Sequence, residues 1–214
     1  MTLTRAMIAQ AQGLFLFFFV PITLGGLLTP GYSAIRQQAS EMTLVSNPLV
    51  VGLVNAGVIL VGVSIIVFAI GMVRRFGMGV VLSSLLLAVF GVSMVANGIW
   101  KMGGPMHGLY GIGLFVVLAP LQLAYEMKGR KLTPDFFRFA IAVSLLWMTY
   151  MWASVAGMDP EGLRGLTQRV VAGVFLLWLG FVSRRVLQDD VQAGAADLQF
   201  RSVDHGGRRV SESG

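Results

Sequence analysis

LVVGLVNAGVILVGVSIIVFAIGMV, Leu49 to Val73, carries no charged residue and runs directly into Arg74-Arg75. A helix needs ~20 apolar residues to cross ~30 Å of hydrocarbon, so this stretch reads as a membrane span. Five further apolar blocks accompany it: Gly13 to Thr29, Gly77 to Ile99, Pro105 to Tyr125, Phe136 to Ala156 and Val170 to Val182. The expected fold is all-α, a polytopic bundle of six transmembrane helices over residues 1–185. Residues 186–214 are rich in Gly, Asp and Arg without a sustained apolar period, which predicts a flexible polar cytoplasmic tail.

Composition agrees: 56% hydrophobic residues, 12% charged residues and a mean hydropathy of +0.77 leave too little polar surface for a water-soluble globule. The net charge of +6 does not indicate nucleic acid, because the basic residues cluster at the ends of apolar blocks. Cysteine is absent, which removes disulfides, thiol catalysis and cysteine-ligated metal.

The sixteen Lys and Arg residues fall unevenly into alternate gaps between the blocks. One set of gaps holds Arg5, Arg74, Arg75, Lys128, Arg130, Lys131, Arg138, Arg184, Arg185, Arg201, Arg208 and Arg209; the other holds only Arg36, Lys101, Arg164 and Arg169. Positive charge is retained on the cytoplasmic side, so both termini are expected there. Trp100, Trp152, Tyr32 and Tyr110 then lie near the outer interface.

Helical spacing predicts where each span points its polar groups. In the sixth, Gly165, Arg169, Gly173, Leu176 and Gly180 share an arc expected to face the bundle, with Val171, Phe175, Trp178 and Val182 expected toward lipid. The apolar run there is short, so the helix should begin near Gly162 or Leu163, with Arg169 about 10 Å along it. The other spans place Asn55, Asn97 with Lys101, His107 and Tyr150 toward the same outer end. Singly, such groups serve as interhelical hydrogen bonds of ~0.6 kcal/mol. Together, Asn55, Asn97, Lys101, His107, Tyr150 and Arg169 define an expected outer polar pocket suited to a lipid headgroup or small anion, or to a partner protein. Glu41, Asp159 and Glu161 are the alternative partners of its cations.

Catalytic patterns are missing. Two histidines, His107 and His205, do not make a metal site, and no cofactor is expected. No G-x-S-x-G elbow occurs, and Gly77-Met78-Gly79 and Gly111-Ile112-Gly113 lack the third glycine of a nucleotide loop. The expected function is non-enzymatic, with membrane lipid and a protein partner or homo-oligomer as partners. A small-solute transporter and a lipid-modifying enzyme are the alternatives.

Over Met7 to Arg185 the chain resembles the bacterial six-helix membrane proteins grouped as domain of unknown function 998. The resemblance rests on Pro30-Gly31-Tyr32 with Ser40-Glu41, on Asn55 with Gly57 and Gly62, on Gly98, on His107, and on Gly165-Leu166-Thr167-Gln168-Arg169. It implies six helices and a family role for the His and Arg positions, but no activity. Where that family often has Phe-Pro after the third-span glycine, this chain has Ile99-Trp100-Lys101, which implies a differently shaped outer loop.

Overall fold

The structure is a computed structural model that describes residues 2–129 and 134–208, with side chains through residue 189. The first span is α1 (Leu3–Ala9), a 3-10 turn at Gln10–Gly13 and α2 (Leu14–Leu27), so it starts ten residues before the apolar block does. Next come α3 (Pro48–Phe76) and α4 (Val81–Ile99). The fourth span joins a 3-10 segment, Leu109–Leu118, to α5 (Ala119–Glu126). The last two are α6 (Pro134–Val155) and α7 (Arg164–Arg208). Among the described residues there is no strand.

Five continuous helical stretches are long and apolar enough to cross a membrane, and one of them, Pro48–Ile99, holds both α3 and α4. The chain is therefore an all-α, multi-pass membrane protein with six spans. Each span packs on its neighbours in sequence and α7 returns to α1 and α2, so the six close into a ring.

α3 is started by Asn47, whose side chain accepts from Leu49 N (3.0 Å), and by Pro48 in the first turn. It stops at Gly77, where φ of +64° suits only glycine. The chain then turns back into α4, and the two helices meet backbone to backbone. A Cβ on Gly62 would lie 2.5 Å from Gly91 O, one on Gly91 would lie 2.7 Å from Gly62 O, and one on Gly98 would lie 2.8 Å from Asn55 O. Without a hydrophobic drive between helices in lipid, close van der Waals approach of this kind holds them together.

Two sequence expectations change. First, α7 buries both of its arcs: Gly173 meets Phe15 and Phe19 of α2, while Val171, Phe175, Trp178 and Val182 are also buried. The side facing outward is instead Leu166, Val170 and Leu177, 43%, 48% and 52% exposed. α7 is contacted from two sides, with Phe175 packed on Phe90 of α4 and Trp147 of α6 rather than on lipid. Second, Pro105 to Gly108 is a loop and not the first turn of a helix, because the glycines there take up left-handed backbone. α7 runs through Arg208. Residues 209–214 lie outside the described residues.

The loops at 28–47, 100–108 and 156–163 gather at one end of the ring, called here the loop end. Leu166 N donates to Ile35 O (2.9 Å), and Met102 N donates to Thr43 Oγ1 (3.3 Å). At the opposite end the Glu126 carboxylate accepts from Leu82 N (3.1 Å) and Ser83 N (3.2 Å), capping α4.

Gly62→Ala or Gly91→Ala should force α3 and α4 apart and cost about 1–3 kcal/mol. Thermal unfolding of the detergent-solubilised protein measures this, and Gly52→Ala, with open space around its Cβ, serves as the control.

Candidate functional site

Arg169 lies one turn into α7 and turns its guanidinium onto the loop above α2. Its Nη1 donates to the carbonyl oxygens of Ala34 (2.8 Å), Gln37 (2.9 Å) and Gly165 (2.9 Å), and its Nη2 donates to the Tyr32 hydroxyl. The guanidinium carbon also sits 5.7 Å from the Tyr32 ring centre, within cation–π range. Tyr32 Oη donates in turn toward the carbonyls of Gln37 (3.2 Å) and Gln38 (3.1 Å). A side chain one residue earlier completes the tie, since Gln168 Oε1 accepts from Ala39 N (2.9 Å). Within the loop, Gln38 and Glu41 form a capping box that starts the 3-10 helix Ala39–Leu44.

Burial pushes the Tyr32 phenol above its ordinary value of 10.0, against the downward pull of the Arg169 hydrogen bond and charge; Glu41 adds a smaller upward push. The phenol is therefore neutral at physiological pH and keeps its proton for the loop carbonyls.

Below this tied loop is a cavity of about 360 Å³. Ala39, Ser40 and Thr43 line its loop end, together with Asn97, His107, Tyr150 and Gln168. Its lower wall is apolar: Phe18, Val54, Val58, Val61, Met94, Ala172 and Leu176, with Phe90, Trp147 and Phe175. Those last three rings interlock edge to face at 5.4 Å, 5.7 Å and 6.0 Å between centres. From Arg164 to Leu176 is roughly 18 Å at 1.5 Å per residue, so the cavity reaches about mid-membrane. Lower down, Ile8, Phe68, Phe136 and Trp178 are fully buried.

The backbone from Gly108 to Gly111 roofs one side. Gly108 (φ 80°), Leu109 (48°), Tyr110 (53°) and Gly111 (78°) are all left-handed, two of them without being glycine. Such strain persists only where surroundings hold it. Here Asn97 Oδ1 accepts from Gly108 N, Ser93 Oγ donates to Gly108 O (3.1 Å), and His107 Nδ1 bonds Trp100 O (2.9 Å).

Of the six residues expected to form a pocket, Asn97, His107 and Tyr150 line the cavity. Arg169 does not; it holds the loop that covers it. Lys101 is exposed beyond the end of α4, and Asn55 is not among the lining residues: its backbone oxygen lies at the α3–α4 contact, and its Oδ1 is buried without a hydrogen-bond partner among the described residues. Of the alternative acidic partners, Asp159 accepts from Thr167 Oγ1 (3.0 Å) and Glu161 lies 3.8 Å from Arg164. Gln168, Trp147 and Phe175 line the cavity without having been singled out. Gln168 gave a usable signal, as a polar residue one turn inside a membrane helix; the aromatic pair reads equally well as lipid-facing.

An all-α, multi-pass membrane protein with an internal cavity under one set of loops is the class that this geometry defines. The chain belongs to the family described as Protein of unknown function (DUF998), which matches residues 12–185. No curated protein and no solved structure matches it.

A phenol whose folded-state value is raised stabilises the fold fully below its unfolded value near 10 and loses that contribution as pH rises through the folded value. Unfolding temperature in detergent should therefore fall more steeply above about pH 10 in the natural protein than in Tyr32→Phe. Coincident pH profiles would refute the assignment.

Proposed function

We propose that this protein sits in the bacterial inner membrane with both termini cytoplasmic and binds an amphipathic, lipid-like ligand in the cavity at its outer end. The observation that carries the reading is the segregation inside the cavity, with hydrogen-bonding groups at the loop end and aromatic and aliphatic walls beneath. Its volume is in the range of small-molecule sites, which are mostly apolar with a few placed polar groups. Leu114 lines it and is 45% exposed, so the wall on that side is one side chain thick and faces the bilayer. An acyl chain entering sideways would need no aqueous route.

A small anion is less well served. Lys101 and Arg169 were its expected partners, and neither lines the cavity. The packed core beneath, with Phe68, Phe136 and Trp178 fully buried, favours a dead-end binding site over a transport path. Orientation is supported by charge: Arg36, Lys101, Arg164 and Arg169 all belong to the loop end, leaving the greater share of positive residues to the other.

Native mass spectrometry of protein extracted in mild detergent should show a co-purifying lipid mass. Ala172→Phe, which fills the cavity, should abolish that mass while leaving the protein folded; a clean mass for the natural protein would refute the reading.

The cysteine-free chain makes orientation directly testable. In whole cells, a membrane-impermeant maleimide should label Glu161→Cys and not Met78→Cys. The reverse pattern inverts the topology.

A further inference from the structure

Backbone partners fix which atom of each polar side chain at the cavity mouth is already used, and so which atom is left for a ligand. Asn97 meets Gly108 N, and a backbone N–H can only donate, so the atom there is the amide oxygen. Its Nδ2 keeps just a long contact to Met94 Sδ (3.9 Å). By the same logic Gln168 presents its oxygen to Ala39 N (2.9 Å), leaving Nε2 as a free donor. His107 Nδ1 lies 2.9 Å from Trp100 O, which can only accept, so the tautomer that fits has its proton on Nδ1 and offers Nε2 as an acceptor. The Tyr150 hydroxyl lines the cavity with no hydrogen-bond partner among the described residues. Ser40, Thr43 and Ser93 are used internally, donating to Met102 Sδ (3.4 Å), Ser40 O (2.7 Å) and Gly108 O (3.1 Å).

The free set is therefore two amide donors, one imidazole acceptor and one hydroxyl that does both. No Lys, Arg, Asp or Glu lines the cavity among the described residues. A carboxylate or phosphate entering this low-dielectric site would lose its hydration without gaining a counter-ion, and an ammonium would meet mainly donors. A head that satisfies all four groups carries carbonyl oxygen for the amides and hydroxyl for the imidazole.

Building on the proposal that the cavity binds an amphipathic ligand, we infer that the ligand is an uncharged glycerol ester, of mono- or diacylglycerol chemistry. Its ester carbonyl accepts from Asn97 and Gln168, its free hydroxyl donates to His107 Nε2 and accepts from the Tyr150 hydroxyl, and its chain lies against Phe90, Trp147 and Phe175.

The test uses the full chain in phosphatidylcholine nanodiscs, with apparent affinity read from ligand-dependent shifts in unfolding temperature. The probes are monodecanoylglycerol, its decyl ether analogue without the carbonyl, methyl decanoate without the hydroxyl, decanoate, and decane. Monodecanoylglycerol should bind best, with the ether and the methyl ester each about three- to tenfold weaker, the range of one lost neutral hydrogen bond. Tyr150→Phe removes a hydroxyl that supports nothing in the free protein; it should weaken monodecanoylglycerol by a similar factor and leave decane unchanged. Decanoate binding as well as the ester, or Tyr150→Phe weakening both probes equally, would overturn the assignment. If decane binds and the ester gains nothing over it, the head-group chemistry fails and the amphipathic site stands; if no probe binds, both fail.

Discussion

Backbone polar groups at membrane depth have no water to bond, and this constraint governs everything at the loop end of the protein. Thirty-odd residues of non-helical chain cluster there, and each exposed carbonyl near the hydrocarbon must be met by protein. Arg169 meets three carbonyls and a phenol oxygen at once, which a planar fork with five N–H groups can do and a lysine ammonium with three donors cannot. A cation placed there is ordinarily costly; surrounded by four oxygens, it holds the segment from Tyr32 to Ala39 against α7. That segment leads directly into Ser40 and Thr43, so the roof of the cavity is held from the helix beneath it, by Arg169 together with Gln168 and the amide of Leu166.

The same constraint explains why the cavity lies beside the fourth span. Leu109–Leu118 is a 3-10 segment opened by left-handed residues, and such backbone survives in a membrane only where protein or a cavity covers it. At ~2 Å per residue, against 1.5 Å for an α-helix, it also lets an 18-residue stretch reach about 30 Å. Asn97, Ser93 and Trp100 supply the hydrogen bonds that the irregular turn lacks, and their use in that role leaves the amide nitrogen of Asn97 and the outer imidazole nitrogen free. Structural demand and binding capacity are thus two sides of the same residues.

Much of this was legible in the chain. Charge-free blocks and the placement of Arg and Lys specify six spans because both follow from solvation alone, independent of how helices pack. The start of α7 at Arg164 lies within two residues of the Gly162 or Leu163 that the length of a span requires. What failed was direction: a helical wheel separates two arcs of α7 but cannot tell that both are covered when the helix sits between α2 on one side and α4 with α6 on the other. Phe175 and Trp178 looked like lipid-facing residues for that reason. His107 was placed inside the fourth apolar block, which opens at Pro105, whereas left-handed backbone at Gly103, Gly108 and Gly111 keeps the chain around it out of a regular helix. Asn97 and Tyr150 were found since both lie on regular helices whose period held.

The four cations at the loop end, exceptions to the rule that orients the chain, turn out to carry less ligand chemistry than their rarity suggested. Arg169 is enclosed by protein oxygens, Arg164 sits near Glu161, and Lys101 is exposed beyond α4. Their positions are accounted for by loop architecture, which any ligand would find already in place. Removing them from the list of binding groups changes the sign of the argument: a cavity first expected to attract an anion is lined by neutral donors, one neutral acceptor and aromatic rings. Neutral groups in a low-dielectric site discriminate by which hydrogen bonds are left unmade, so selectivity there would arise from the costs of unpaired donors and not from attraction between charges.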